Sequence, residues 1–341
     1  MNHTPTLRTT SVLALVSLAG CARFQKAHDA RVERQRAAHA QVYAGKSDSD
    51  ANAAIARAHL LESQGLDSVA LAEFEKAISI NPKMTTAYLG IGQIQKKRGN
   101  LDKAEEAYHA AVQVEPTNFD AQYNHGLVLQ LLNRVAEAVR SYLRALSIKP
   151  DDFDSNLNIA TAYLQLGEAG PGLSYAQRAV RINGKSGPAR VNLGAIYSAL
   201  GDYDHAVVEF QQAAELMDLS PELLLNLADA LGKTGRYAEM QNTLEQLIRT
   251  KPSATAYERL ASALFRQQKY DEALTQFRMA LKLDPDYYPA LNGVGVSMLN
   301  KYLLSEKRDL DAREEALKAL RRSLQVEHHQ PAVVDLLNRY G

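Results

Sequence analysis

The chain has 341 residues, with 39 basic and 39 acidic side chains and a formal net charge of zero. That balance offers no global field to draw in nucleic acid or to steer a charged substrate. Hydrophobic residues make up 46%, enough for a packed interior, and a single cysteine excludes a disulfide framework.

In chain order, the first feature is the apolar run SVLALVSLAGCARF at 11–24, which holds that cysteine. Its uncharged stretch lies between Arg8 and Arg23 and is shorter than the roughly 20 residues a helix needs to cross a bilayer. A basic residue in a polar start (Arg8), a short apolar middle (Val12 to Leu18) and small residues before a break are the layout of a secretory signal. The run ends Leu18-Ala19-Gly20-Cys21, which resembles the lipobox of bacterial lipoproteins. The resemblance implies that residues 1–20 are removed and that the Cys21 thiol is acylated and heads the mature chain. A thiolate is the nucleophile that thioether formation requires. Two or more acyl chains, at about 0.8 kcal/mol per buried methylene, would then hold the protein on a membrane. Ala22 follows the cysteine where Asp would imply retention, so the resemblance to Gram-negative lipoproteins implies the periplasmic face of the outer membrane. A cleaved ordinary secretory signal is the alternative.

Residues 21–49 form a tether, read as partly helical. From 22 to 49 it carries six basic and three acidic residues and no strong apolar stripe. It is a solvated spacer, or else a segment resting on anionic headgroups. Ser47 to Asp50 offers a helix start signal.

From residue 51 the sequence repeats itself. TTAYLGIGQIQKKRGNLDKAEEAYHAAVQVEP (85–116) aligns with FDAQYNHGLVLQLLNRVAEAVRSYLRALSIKP (119–150) at an offset of 34. Proline closes units at Pro82, Pro116, Pro150, Pro252 and Pro285. Counting that proline as position 32, position 8 is Ala or Gly throughout, and position 24 carries Phe74, Tyr108, Tyr142, Ala176, Phe210, Leu244 and Phe277. This pattern resembles the tetratricopeptide repeat (TPR) and covers about residues 51–328, some eight units. The fold expected is all-α: a right-handed α-solenoid of stacked helix-turn-helix units. Apolar or small residues at positions 4, 7, 8 and 11 give one face of a first helix, and those at 20, 24 and 27 one face of a second. Gly65, Gly99, Asn133, Gly167, Gly201 and Gly235 are residue types that accept the left-handed turn at a helix C-terminus.

Two units depart from the pattern. The fourth has Gly170-Pro171-Gly172 at its second helix, Ala176 at position 24 and Gly184 in place of the closing proline, which predicts loose local packing. The last carries about nine extra residues near 300–315, read as a helix extension plus charged loop before Leu320 resumes the packing role. Residues 329–341 are read as a capping helix that covers the final apolar face.

Chemistry is sparse. NGKSG at 183–187 lacks the earlier glycine of a phosphate loop, with Ala179 in its place. His109 and His125 could be neighbours, but zinc takes three or four ligands, and both read as packing residues; His328-His329 falls in a turn. No catalytic residue, metal site or cofactor is expected. Asn124, Asn158, Asn192 and Asn226 recur at position 6 of the first helix in consecutive units. They look like the asparagine ladder in the repeat domain of O-linked N-acetylglucosamine transferases, which grips a peptide backbone through amides that both donate and accept. A common consensus asparagine is the alternative. The carboxylate clamp of chaperone-tail binders does not fit, because Tyr123, Leu157 and Val191 stand where it needs Lys.

The expected protein is therefore a lipid-anchored, non-catalytic scaffold of the bacterial envelope, holding extended segments of other envelope proteins, as in secretion or pilus assembly. It binds no nucleic acid. The competing readings are a non-catalytic repeat subunit of a transferase or hydrolase complex and a passive spacer.

Overall fold

A computed structural model describes residues 31, 33, 34 and 47–341. The signal segment 1–20, Cys21 and most of the tether therefore lie outside the described residues. Among the described residues there is no strand, and no helix is long and apolar enough to cross a membrane.

The chain divides into two compact units, Met1–Asn133 and Arg134–Gly341. The first holds α1 (47–63), α2 (Asp67–Ile80), α3 (Thr85–Lys97), α4 (Leu101–Val114) and α5 (Phe119–Leu131). The second begins with α6 (Val135–Ile148), α7 (Phe153–Gln165), α8 (Ala169–Ile182), α9 (Gly187–Ala199), α10 (Tyr203–Leu216) and α11 (Pro221–Lys233). It continues with α12 (Tyr237–Thr250), α13 (Ala254–Arg266), α14 (Tyr270–Leu283), α15 (Tyr288–Leu304), α16 (Leu310–Val326) and α17 (Pro331–Tyr340). Within each unit every helix packs on the next, and first helices also touch first helices: α3 on α5 in the first unit, and α7, α9, α11, α13 and α15 in series in the second. Each unit is thus a run of an all-α repeat solenoid.

Local chemistry sets the element ends. Five first helices, α5, α7, α9, α11 and α13, start at a side chain that accepts a backbone N–H: Asn118 from Ala121, Asp152 from Ser155, Ser186 from Ala189, Ser220 from Leu223 and Ser253 from Ala256. First helices end in left-handed residues, with φ near +75° at Gly65, Gly99, Gly167 and Gly235, +80° at Gly201 and +60° at Asn133. The residue after the turn donates back to the carbonyl five before it, as in Asn100 to Gln95 and Arg236 to Leu231, both 2.9 Å. This closes the helix in the Schellman manner. The seventh turn uses Gln268 at φ +65°, a position where the sequence shows no glycine or asparagine. Residues 47–50, read as a start signal, are already helical.

Packing follows the small-and-ring alternation. The ring at position 24 lies against glycine on a neighbouring first helix. A Cβ on Gly92 would fall 2.5 Å from the Tyr108 ring, one on Gly194 2.7 Å from Phe210, and one on Gly293 2.2 Å from Phe277. A methyl at those distances would force the ring to shift, so glycine there serves the close approach of helix and ring.

The fourth unit corrects the expectation of looseness on its inner side. Ala176 is fully buried, and it packs in one cluster with Ala160 of α7 and Leu193 and Ile196 of α9. Larger side chains on first helices fill what the missing ring leaves. A cleft of about 320 Å³ opens elsewhere, between Leu143 and Leu146 of α6 and Tyr175 and Arg178 of α8. The extra residues of the last unit lengthen both helices to 17 residues, against 13 and 14 in the unit before it. Leu320 is fully buried against Gly295. Helix α17 packs on α16 through Val333, and Arg313 donates to the carbonyls of Tyr340 and Gly341 at 2.7 and 2.6 Å.

Candidate functional site

Stacking first helix on first helix leaves a trough along one side of the second unit. Its larger part, about 630 Å³, lies among α9, α11 and α13, with Asn226, Asp229 and Lys233 on one wall and Ser262 and Arg266 on the other. Phe210 of α10 and Met240 of α12 reach its floor. A second part of about 380 Å³ shares Ser262 and Arg266 and continues to Asn292, Gly293 and Val296 of α15. Apolar floor with spaced polar groups on the rim is what an extended peptide needs: burial for side chains and partners for its amides.

Charge in the trough is mixed. Arg259 bonds Asp229 at 2.9 Å. Burial raises the Asp229 carboxyl above the usual carboxylate range, and the Arg259 and Lys233 cations partly offset it. Burial likewise raises Glu258, opposed by the Ser262 hydroxyl, which donates to it at 3.0 Å. Lys233 lies 6.0 Å from the centre of the Tyr203 ring, within cation–π range.

The four position-6 asparagines stand in different surroundings. Asn226 is exposed and lines the trough. Asn192 is buried; its amide donates to Thr161 Oγ1 at 2.7 Å. Asn158 is half-buried. Asn124, in the first unit, is half-buried, donates to the Asp120 carbonyl at 2.9 Å and accepts from Lys96 at 3.4 Å. Position 6 of the next unit is Arg259, so the asparagine run stops where the trough is deepest in charge.

The tetratricopeptide repeat family model matches residues 89–153 and 225–288, and a second model of the same repeat matches 187–216. The chain is a tetratricopeptide repeat protein. No curated protein matches its sequence. Among solved structures, this TPR protein is similar to a tetratricopeptide repeat protein from Parabacteroides merdae (19% identity, 73% of this chain and 99% of that one, TM-score 0.50). It is similar to Pseudomonas aeruginosa pilF (18% identity, 64% and 99%, TM-score 0.52). It is also similar to PilW, described as a widely conserved type IV pilus biogenesis factor (24% identity, 63% and 98%, TM-score 0.50). At these identities the likeness concerns the fold.

The TPR sequence pattern missed two arrangements. Position 4, read as an apolar packing position, is polar in three consecutive units and reaches back to the unit-closing carbonyl: Gln122 to Pro116, Asn156 to Pro150 and Arg190 to Gly184, at 2.9, 3.0 and 2.9 Å. Gly184 is thus held by the same device as the prolines it replaces. The second is a cluster. His109 and His125 do meet, with ring centres 5.4 Å apart, and Glu105 joins them, accepting from or facing His125 Nε2 at 3.4 Å. The available signal was the spacing of Glu105 and His109, four apart on α4. His328 and His329 lie in the loop before α17.

Proposed function

We propose that this protein is a non-catalytic scaffold that holds extended segments of other cell-envelope proteins in the trough of its second unit, anchored to the membrane through acylated Cys21. The observation that carries the reading is the trough itself, with its apolar floor of Phe210 and Met240 and a rim of Asn226, Asp229, Lys233 and Arg266. Asn226 is the ladder member open to a ligand; Asn158 and Asn192 of the same unit are proposed to contribute where a partner draws their amides out of present contacts, and Asn124 is proposed as a peptide contact of the first unit. The lipobox-like end of the apolar run and Ala22 after the cysteine support the periplasmic face of the outer membrane as the site of action. Envelope, secretion or pilus assembly is the setting proposed, and the shared fold with PilW makes pilus biogenesis the first to test.

A photo-crosslinking residue at Asn226 should capture envelope proteins in whole cells, while one at Lys282, exposed on α14 outside the trough, should not. Substituting all four asparagines by Ala should abolish capture at unchanged helicity. Equal capture at both sites, or full capture by the quadruple variant, overturns the groove reading. Cys21→Ala should abolish acyl labelling and release the protein from membranes; labelling that persists overturns the anchor.

A further inference from the structure

The cluster of Glu105, His109 and His125 lies on α4 and α5, apart from the trough. Glu105 and His109 are four residues apart, which puts them on one face of α4 a turn apart. His125 reaches the same point from α5, the first helix of the next repeat. Each side chain offers one ligand atom, and the three atoms lie within 4.8 Å of one another. Glu105 Oε1 and His125 Nε2 are 3.4 Å apart. Two donors on a tetrahedral zinc ion with bonds of about 2.0–2.1 Å stand about 3.4 Å apart. The two rings are inclined at 56°, so neither stacks flat on the other.

We propose that Glu105, His109 and His125 form a binding site for a divalent transition metal, zinc above all. Two imidazoles and a carboxylate suit zinc, nickel and copper better than magnesium or calcium, which prefer all-oxygen shells. His125 is buried and Glu105 half-buried, so two donors are held in place by packing, while His109 is exposed and has only the solvent-facing Gln113 amide, 3.3 Å from its Nε2, to give up on turning toward the ion. Closing the sphere takes a movement on the order of 1 Å, given the bond lengths above. Three protein donors leave a fourth position to water or to an incoming carboxylate or imidazole. The bound ion would cross-link the second helix of one repeat to the first helix of the next, stiffening that joint. Nothing in this depends on what the trough binds.

The test uses the full chain, stripped with chelator and unfolded thermally with and without zinc chloride, beside His109→Gln and Glu105→Gln. Zinc should raise the wild-type midpoint by about 3 °C, the linkage effect of a ligand at ten times its Kd, and chelator should reverse it. Both variants should keep the metal-free midpoint and lose the shift. Absence of a wild-type shift, or a variant that retains half of it or more, overturns the proposal. Should a variant fail to fold, cobalt(II) on the wild type decides. Intense tetrahedral d–d absorption saturating at one equivalent and displaced by zinc supports the site, and weak octahedral absorption overturns it.

Discussion

The contact between Gly194 and Phe210 allows the packing rule to be tested by a change of sign. Phe210 is fully buried, and a methyl on Gly194 would lie 2.7 and 2.8 Å from two of its ring carbons. Truncating Phe210 to Ala removes about 150 Å² or more of apolar area from the core. At ~25 cal/mol per Å² this costs about 4 kcal/mol, within the range for buried Phe→Ala changes. Gly194→Ala in the wild type forces the ring aside at about 1–3 kcal/mol, offset by about 1 kcal/mol of better helix propensity, for a net loss of about 1 kcal/mol. In the Phe210→Ala background the ring is gone. There the added methyl keeps its propensity gain and contributes about 0.8 kcal/mol of burial, so Gly194→Ala should stabilise by about 1–2 kcal/mol. Guanidinium unfolding followed by circular dichroism on the four chains gives the cycle. If Gly194→Ala has the same effect in both backgrounds to within about 0.5 kcal/mol, the ring does not occupy that space and the reasoning fails.

Gln268→Gly should stabilise by about 1 kcal/mol in a thermal melt, because Gln268 is exposed and held at φ +65° where glycine carries no Cβ penalty; a loss of stability would show that its side chain matters more than its backbone. Glu258→Gln should stabilise at neutral pH. Its carboxyl is raised by burial above the ordinary 4.5, so the native state binds that proton more tightly than the unfolded chain does. Stability from this group is therefore gained as pH falls through the raised value and lost above it. The advantage of Gln over Glu should fade on acidification, and an advantage independent of pH would exclude this cause. Deleting 329–341 uncovers the last repeat and removes the carbonyls that Arg313 binds. Chromatography at rising concentration should show self-association of the shortened chain, and a monodisperse monomer of unchanged stability would show that α17 is not a cap.

Much was legible before any coordinates, because a repeat states its period many times. The 34-residue offset, the small residues at positions 8, 20 and 27, the rings at 24 and the glycine turns are each local or near-local requirements, and near-local requirements leave their mark on residue type. Gln268 left none: the turn geometry of its neighbours is imposed on it by the packed helices on either side, at a cost the fold absorbs. The polar position-4 side chains were read as core because spacing reports the face of a helix, not the carbonyl six residues back that a long side chain can reach. Four asparagines that are equivalent in register came out buried, half-buried and exposed, since their surroundings depend on the residues of adjoining repeats, such as Thr161 beneath Asn192. The fourth repeat lacks the ring, and its Ala176 packs instead with Leu193 and Ile196 of the next first helix, which pairwise spacing could not foresee. Register along one chain determined which residues face inward; only the stacking of repeat on repeat decided what they meet there, because those partners lie some thirty residues away and are chosen by shape.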